Sequence, residues 1–148
     1  PSYYTTQGKL QDAIEKSTKS GWWSKGTTGA SIGQHEAAHA IEYFLDTHNP
    51  AYQYRWEQIE AWNDCTEAKA IVSQACKNVK KTPWGKGKVN DELIRSISGY
   101  STTSRSETLA EAFADFYTNG DKASPLSAEI VKLTKERYMQ FGGVGNGT

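Results

Sequence analysis

Apolar residues recur at three- and four-residue spacing through most of the chain, the periodicity of helices with one buried face. Leu10 and Ile14 in "GKLQDAIEKSTK" predict a short amphipathic helix over residues 8–19. "SGWWSKGTTGASIG" then breaks the pattern with Gly, Ser and Thr. It reads as loop, with one short edge strand expected near Thr27–Ile32. Ser31 precedes Gln34 by three, the spacing of a capping box, so a helix is expected to start just before His35. Its apolar positions are Ala38, Ile41, Phe44 and Leu45, and Asn49-Pro50 ends it.

Tyr52, Trp56 and Ile59 form the next helical stripe, and Asp64 with Glu67 is spaced to cap another helix through Ala68, Ile71, Val72, Ala75 and Val79. "KKTPWGKGKVN" is a loop by its Pro and Gly. Asn90 is placed to cap a short helix through Leu93, Ile94 and Ile97, and "SGYSTTSR" interrupts it. Ser104 and Glu107 repeat the capping-box spacing, and "ETLAEAFADFY" runs helically to Asn119-Gly120. A last helix has Ser124 as cap, Pro125 in its first turn and Leu126, Ile130, Leu133 and Tyr138 inward, with Gly142 as its stop. The expected fold class is therefore α+β, mainly α, with at most a small β-sheet, in a single domain over residues 1–148.

Composition narrows the function. A chain of 148 residues can bury a real core. A formal net charge of zero argues against a nucleic-acid role, which draws on a basic surplus. No apolar run reaches membrane-spanning length. No signal peptide is visible, and the start at Pro1 reads as a fragment or processed product, which leaves the compartment open. Cys65 and Cys76 on one helix lie about 16 Å apart along its axis, too far to bridge, so free thiols are expected. Six lysines and no acid lie between Lys69 and Lys88, which reads as a solvated basic face.

Two of the chain's three histidines stand in "HEAAH", His35 and His39, with Glu36 beside the first. Positions i and i+4 share a helical face, so both imidazoles can reach one ion, at about 2.1 Å each for zinc. Glu36 is rotated by about 100° from His35. It can instead reach a water held by the ion and accept its proton, the logic of the HExxH motif. A catalytic zinc needs a third protein ligand. The pattern HExxHxxGxxH is excluded, because Glu42 and Leu45 stand where it needs Gly and His. His48, at the helix end, reads as an exposed histidine. A glutamate from a second helix is the other route. Glu107, Glu111 and Asp115 line one face at i, i+4 and i+8, on a helix otherwise filled with Ala110, Phe113, Ala114 and Tyr117. Either Glu107 ligates and Glu111 supports a histidine from behind, or Glu111 ligates and Asp115 supports; spacing leaves both open. Arg105 reads as a solvated arginine.

"GYSTTSRSETLAEAFADFY", together with the HEAAH helix, resembles the zincin-like metallopeptidases with a glutamate third ligand. That group includes the catalytic domain of anthrax lethal factor and related toxin and phage-encoded domains. The shared spacing is Tyr100, then Glu107 seven on, then Glu111 in "EAF". The resemblance covers the HEAAH helix and residues 99–117 and not the first 30 residues. It implies that Glu107 is the third metal ligand, that Glu111 lies behind a ligand histidine and that Tyr100 hydrogen-bonds the oxyanion of a tetrahedral intermediate. It also implies an edge strand to hold an extended peptide, for which "TTGASI" is the candidate.

The expected function is zinc-dependent hydrolysis of peptide bonds in a protein or peptide substrate. His35, His39 and Glu107 bind Zn²⁺ and Glu36 is the general base; the chain would belong to a larger phage or toxin polypeptide, with no nucleic-acid or membrane partner. Two other readings stand beside it: a non-catalytic zincin-fold module that binds metal for structure, and a metal-free helical interaction domain.

Overall fold

The computed structural model describes residues 2–143, with side chains from residue 8 onward. Among these residues the structure is helical and contains no strand. The helices are α1 (Ser2–Lys19), α2 (Gly29–His48), α3 (Arg55–Asn63), α4 (Thr66–Val79), α5 (Asn90–Arg95), α6 (Arg105–Asn119) and α7 (Pro125–Gln140). Two single 3₁₀ turns, Tyr100–Thr102 and Gly120–Lys122, flank α6.

Helix α6 is the centre. Every residue from Thr108 to Asp115 is buried. A helix buried all round must have neighbours on every side, and α2, α4 and α7 all pack on α6. Ala110, Ala112 and Ala114 let them come close, while Leu109 and Phe113 fill the gaps against Leu45, Ile71, Val72, Leu93, Leu126 and Ile130. Burying each large apolar side chain contributes roughly 1.5–3 kcal/mol. Ser104 caps α6 by accepting from the Glu107 N–H at 3.1 Å, and Ser124 with Pro125 starts α7 as the pattern predicts. Gly120 closes α6 at φ +54°.

Several expectations are corrected. Helix α2 begins at Gly29, and its cap is Thr28 rather than Ser31. The capping box is reciprocal: Thr28 Oγ1 accepts from the Ser31 N–H (3.4 Å) and Ser31 Oγ accepts from the Thr28 N–H (3.0 Å). The edge strand expected at Thr27–Ile32 is therefore absent; Thr28 is extended, but from Gly29 onward the segment is the first turn of a helix. Trp56 and Ile59 face solvent, at 63% and 47% exposure, because α3 buries only Ala61. Asp64 closes α3, and Cys65, at φ +53°, stands as the N-cap of α4. The N-cap position thus falls one residue later than expected, on Cys65, whose side chain makes no capping hydrogen bond. Asn90 is the first residue of α5 and does not cap it. Cys65 and Cys76 are both free. No helix among the described residues is long and apolar enough to cross a membrane.

The loop after α1 is tied to the loop before α6. The Gly99 N–H donates to Gly21 O (2.8 Å) and the Tyr100 N–H to Trp22 O (2.7 Å). A Cβ at Gly99 would stand 3.1 Å from the Trp22 ring and 3.3 Å from Gly21 O, so this close approach favours glycine. The contact fixes Tyr100 above the N-terminal half of α2.

Candidate metal centre

His35 and His39 project from the face of α2 that packs on α6, and their Nε2 atoms lie 3.2 Å apart. Glu107, in the first turn of α6, reaches across. Its Oε2 is 2.9 Å from His35 Nε2 and its Oε1 is 3.4 Å from His39 Nε2. One ligand atom from each of the three falls within 4.8 Å of the others.

The outer nitrogens set the tautomers. His35 Nδ1 is 3.0 Å from Glu111 Oε2, so it carries the proton and donates. Ser98 Oγ donates to the other Glu111 oxygen at 2.8 Å. Ser106 Oγ gives its single proton to Glu42 Oε2 at 2.6 Å, so it can only accept from His39 Nδ1, 3.2 Å away. Both Nε2 atoms then present lone pairs to a carboxylate. Glu107 Oε2 is itself buried without a hydrogen-bond donor. Converging lone pairs repel unless a positive species lies between them. Two imidazole nitrogens and one carboxylate, each histidine braced from behind, fit zinc.

The remaining candidates fall into place around this cluster. Glu36, exposed, and Tyr100, half-buried, line one cavity with His35. The Tyr100 ring stacks on His35, with centroids 6.0 Å apart and planes 28° apart. Burial, then the neighbouring carboxylates of Glu107, Glu111 and Glu36, hold its phenol above the usual pKa. Tyr100 thus stays protonated and can donate. Asp115 is spent elsewhere: it accepts from the Ser124 N–H (2.9 Å), Ser127 Oγ (2.6 Å) and Asn119 Nδ2 (2.7 Å), joining α6 to the start of α7. That geometry puts Glu107 against both Nε2 atoms and Glu111 behind His35. His48 stacks on Phe44 at 3.9 Å, outside the His35–His39–Glu107 group. Arg105 donates to Thr108 Oγ1 at 3.3 Å.

Residue spacing held a further signal. His35, His39, Glu42 and Asp46 fall at i, i+4, i+7 and i+11, one polar stripe along α2. Glu42 and Asp46 are fully buried, each with one oxygen lacking a donor. Glu42, whose Oε2 lies 3.6 Å from His39 Nδ1, is the main influence raising that histidine's pKa. Burial pushes Asp46 up to about 7, reinforced by the Glu42 and Glu67 carboxylates, while the Glu67 N–H it accepts opposes the shift. Glu67 in turn binds Arg137 of α7 and accepts from Asn49 Nδ2 at 2.7 Å.

No family model matches the chain, and comparison with curated proteins and with solved structures likewise gives no match.

Proposed function

We propose that this chain is a zinc metallopeptidase domain of the zincin kind, with glutamate as third ligand. His35, His39 and Glu107 would hold the ion, which when bound supplies a Lewis acid that acidifies water and polarises a carbonyl. Glu36 accepts the proton of the attacking water and delivers it to the leaving amine. Tyr100 donates its phenolic hydrogen to the oxygen that becomes negative. Glu111 with Ser98, and Glu42 with Ser106, keep the two imidazoles in the ligating tautomer. The observation that carries this reading is the convergence of two Nε2 lone pairs on the Glu107 carboxylate, whose Oε2 is buried without a donor, in a site that also presents Glu36 and Tyr100. The substrate class is protein or peptide, and the resemblance supports a setting within a larger toxin or phage polypeptide.

One observation favours a second reading, a non-catalytic module that keeps zinc for structure: no strand among the described residues is available to align an extended peptide. Glu36→Gln separates the two. Both readings expect about one zinc per chain by elemental analysis of wild type and variant. Only the peptidase expects wild-type cleavage of an unfolded protein such as casein, lost by roughly 10²-fold or more in the variant. Metal content near zero after purification without chelator would refute both.

A further inference from the structure

We propose that the lysines of α4 and of the loop after it, Lys69, Lys77, Lys80, Lys81, Lys86 and Lys88, form a docking strip for the phosphate backbone of nucleic acid. This contact is independent of the metal centre. The chain holds 17 cations and 17 anions; with these six lysines and no acid in residues 69–88, the other residues carry 11 cations against 17 anions, a net −6. The zero net charge therefore averages over a divided molecule, and at 0.1 M salt charges more than about 10 Å apart are largely screened from one another. Lys69, Lys77 and Lys80 stand at i, i+8 and i+11 on the exposed face of α4 and span about 16 Å. Duplex DNA carries one charge per ~1.7 Å of its axis, so about nine phosphates lie along that length.

The loop that extends the strip is built rather than loose. The Thr82 N–H donates to Val79 O (3.0 Å), the Lys86 N–H to Thr82 O (3.0 Å) and the Lys88 N–H to Gly85 O (3.1 Å). A Cβ at Gly85 would overlap Val79 O, so the loop folds back directly on the end of α4. Trp84 packs on the core, and Lys88 Nζ lies 4.0 Å above its ring. The cations are unspent. Among the described residues lysine and arginine pair with carboxylates at Lys19–Glu15 and Arg137–Glu67, and none of the six lysines does. Asp64 lines a cavity with Lys69 and Arg105, Glu129 accepts from Asn78 Nδ2 (2.8 Å), and Asp91 and Glu92 open α5. Six lysines and Arg105 outnumber these acids. The α4 dipole accounts for Lys77, Lys80 and Lys81 at its C-terminus, but it disfavours a cation in the first turn, where Lys69 stands. Lysines without an arginine fork act as point charges, which suits an array of phosphates better than the single carboxylates of a peptide. Val89, 57% exposed, is too little apolar surface to seat the lobe in a bilayer. Trp84, covered by Lys88 and packed on the core, is not free to stack on bases, so the strip reads backbone and not sequence.

The test titrates a fluorescein-labelled DNA duplex of about 20 base pairs with the whole chain, read by anisotropy at pH 7.5 in about 25 to 200 mM KCl. A Kd of roughly 1–100 µM is expected at about 50 mM KCl, and five phosphate contacts give log K a slope of about −4.5 against log[KCl]. The variant Lys77→Gln/Lys80→Gln/Lys81→Gln removes three exposed cations. It should bind at least tenfold more weakly at about 50 mM KCl, with a slope near about −2. The control Lys9→Gln/Lys16→Gln/Lys19→Gln, on α1, changes the net charge equally and should stay within threefold of wild type. Helical circular dichroism is recorded for every protein and should be retained. A wild-type Kd above about 1 mM at about 25 mM KCl, a triple variant within twofold of wild type, or an equal loss in the α1 control would overturn the strip. So would tighter binding to vesicles rich in phosphatidylserine or to a deca-glutamate peptide in the same buffer. Chelator-treated protein should bind DNA as well as zinc-loaded protein; binding that needs zinc would move the contact to the metal centre and overturn the strip.

Discussion

Glu111 offers the sharpest test of the metal centre because it touches His35 and not the position a ligand would share. It is 4% exposed, and its two oxygens take the His35 Nδ1–H at 3.0 Å and the Ser98 hydroxyl at 2.8 Å. In Glu111→Gln the amide oxygen can still accept from His35. The amide N–H₂ can donate to Ser98 Oγ, which already accepts from the Ser101 N–H at 3.1 Å and has a second lone pair. Orientation is kept and only the negative charge is lost. Glu111→Ala loses both bonds and leaves the buried His35 N–H without a partner, which costs about 1–3 kcal/mol. Groups that brace a metal-binding histidine are worth about 10–100-fold in affinity. Gln should therefore weaken zinc binding about tenfold and Ala about a hundredfold, or about 1.4 and 2.7 kcal/mol. The assay is competition with a chromogenic zinc chelator at pH 7.5, with apo-protein Tm recorded alongside. Zinc affinity within twofold of wild type in both variants would falsify the role given to Glu111 and, with it, the assigned tautomer of His35.

Three further outcomes are expected. Tyr100→Phe should keep zinc and lower kcat on a cleaved peptide by about 10²–10³-fold with KM little changed, the signature of a donor acting in the transition state; an unchanged kcat removes Tyr100 from the chemistry. Protons compete with zinc at His39, whose pKa Glu42 raises, so affinity should fall as pH drops through that raised value. In Glu42→Gln the histidine pKa drops and the fall should begin at lower pH, which zinc titrations between pH 8 and 5.5 will reveal or deny. Asp46 has a folded pKa of about 7 against an ordinary 3.8, so the fold prefers its protonated form and stability declines as pH rises through that window. Asp46→Asn should raise Tm by a few degrees at pH 8 and little at pH 4; an equal shift at both pH values contradicts the assignment.

The parts of this protein that depend on neighbours in sequence were legible in it. The helix-forming periodicity, Ser104 and Ser124 as caps and the Asn119-Gly120 stop all came from local rules, because a cap or a breaker acts within one turn of itself. So did the shared face of His35 and His39, and that of Glu107, Glu111 and Asp115, since i and i+4 stand together on any helix. Local rules failed where two signals competed. Thr28 and Ser31 both offer cap chemistry, and the earlier one prevailed, turning an expected strand into the first turn of α2. The Trp56 and Ile59 stripe has helical spacing, but spacing does not say whether anything packs against it.

What only the tertiary structure decided was the division of labour among the acids. Spacing could not choose between the Glu107 and Glu111 registers, because both put a carboxylate on the right face. The crossing of α6 over α2 sets Glu107 against both Nε2 atoms and Glu111 behind His35, while the start of α7 draws Asp115 away. Nor could the sequence show that Glu42 and Asp46 are buried, or that Trp22 lies beside Tyr100 some 80 residues on. Burial and long-range hydrogen bonds are properties of packed surfaces, and a residue's partners across a core are not written in its own neighbourhood.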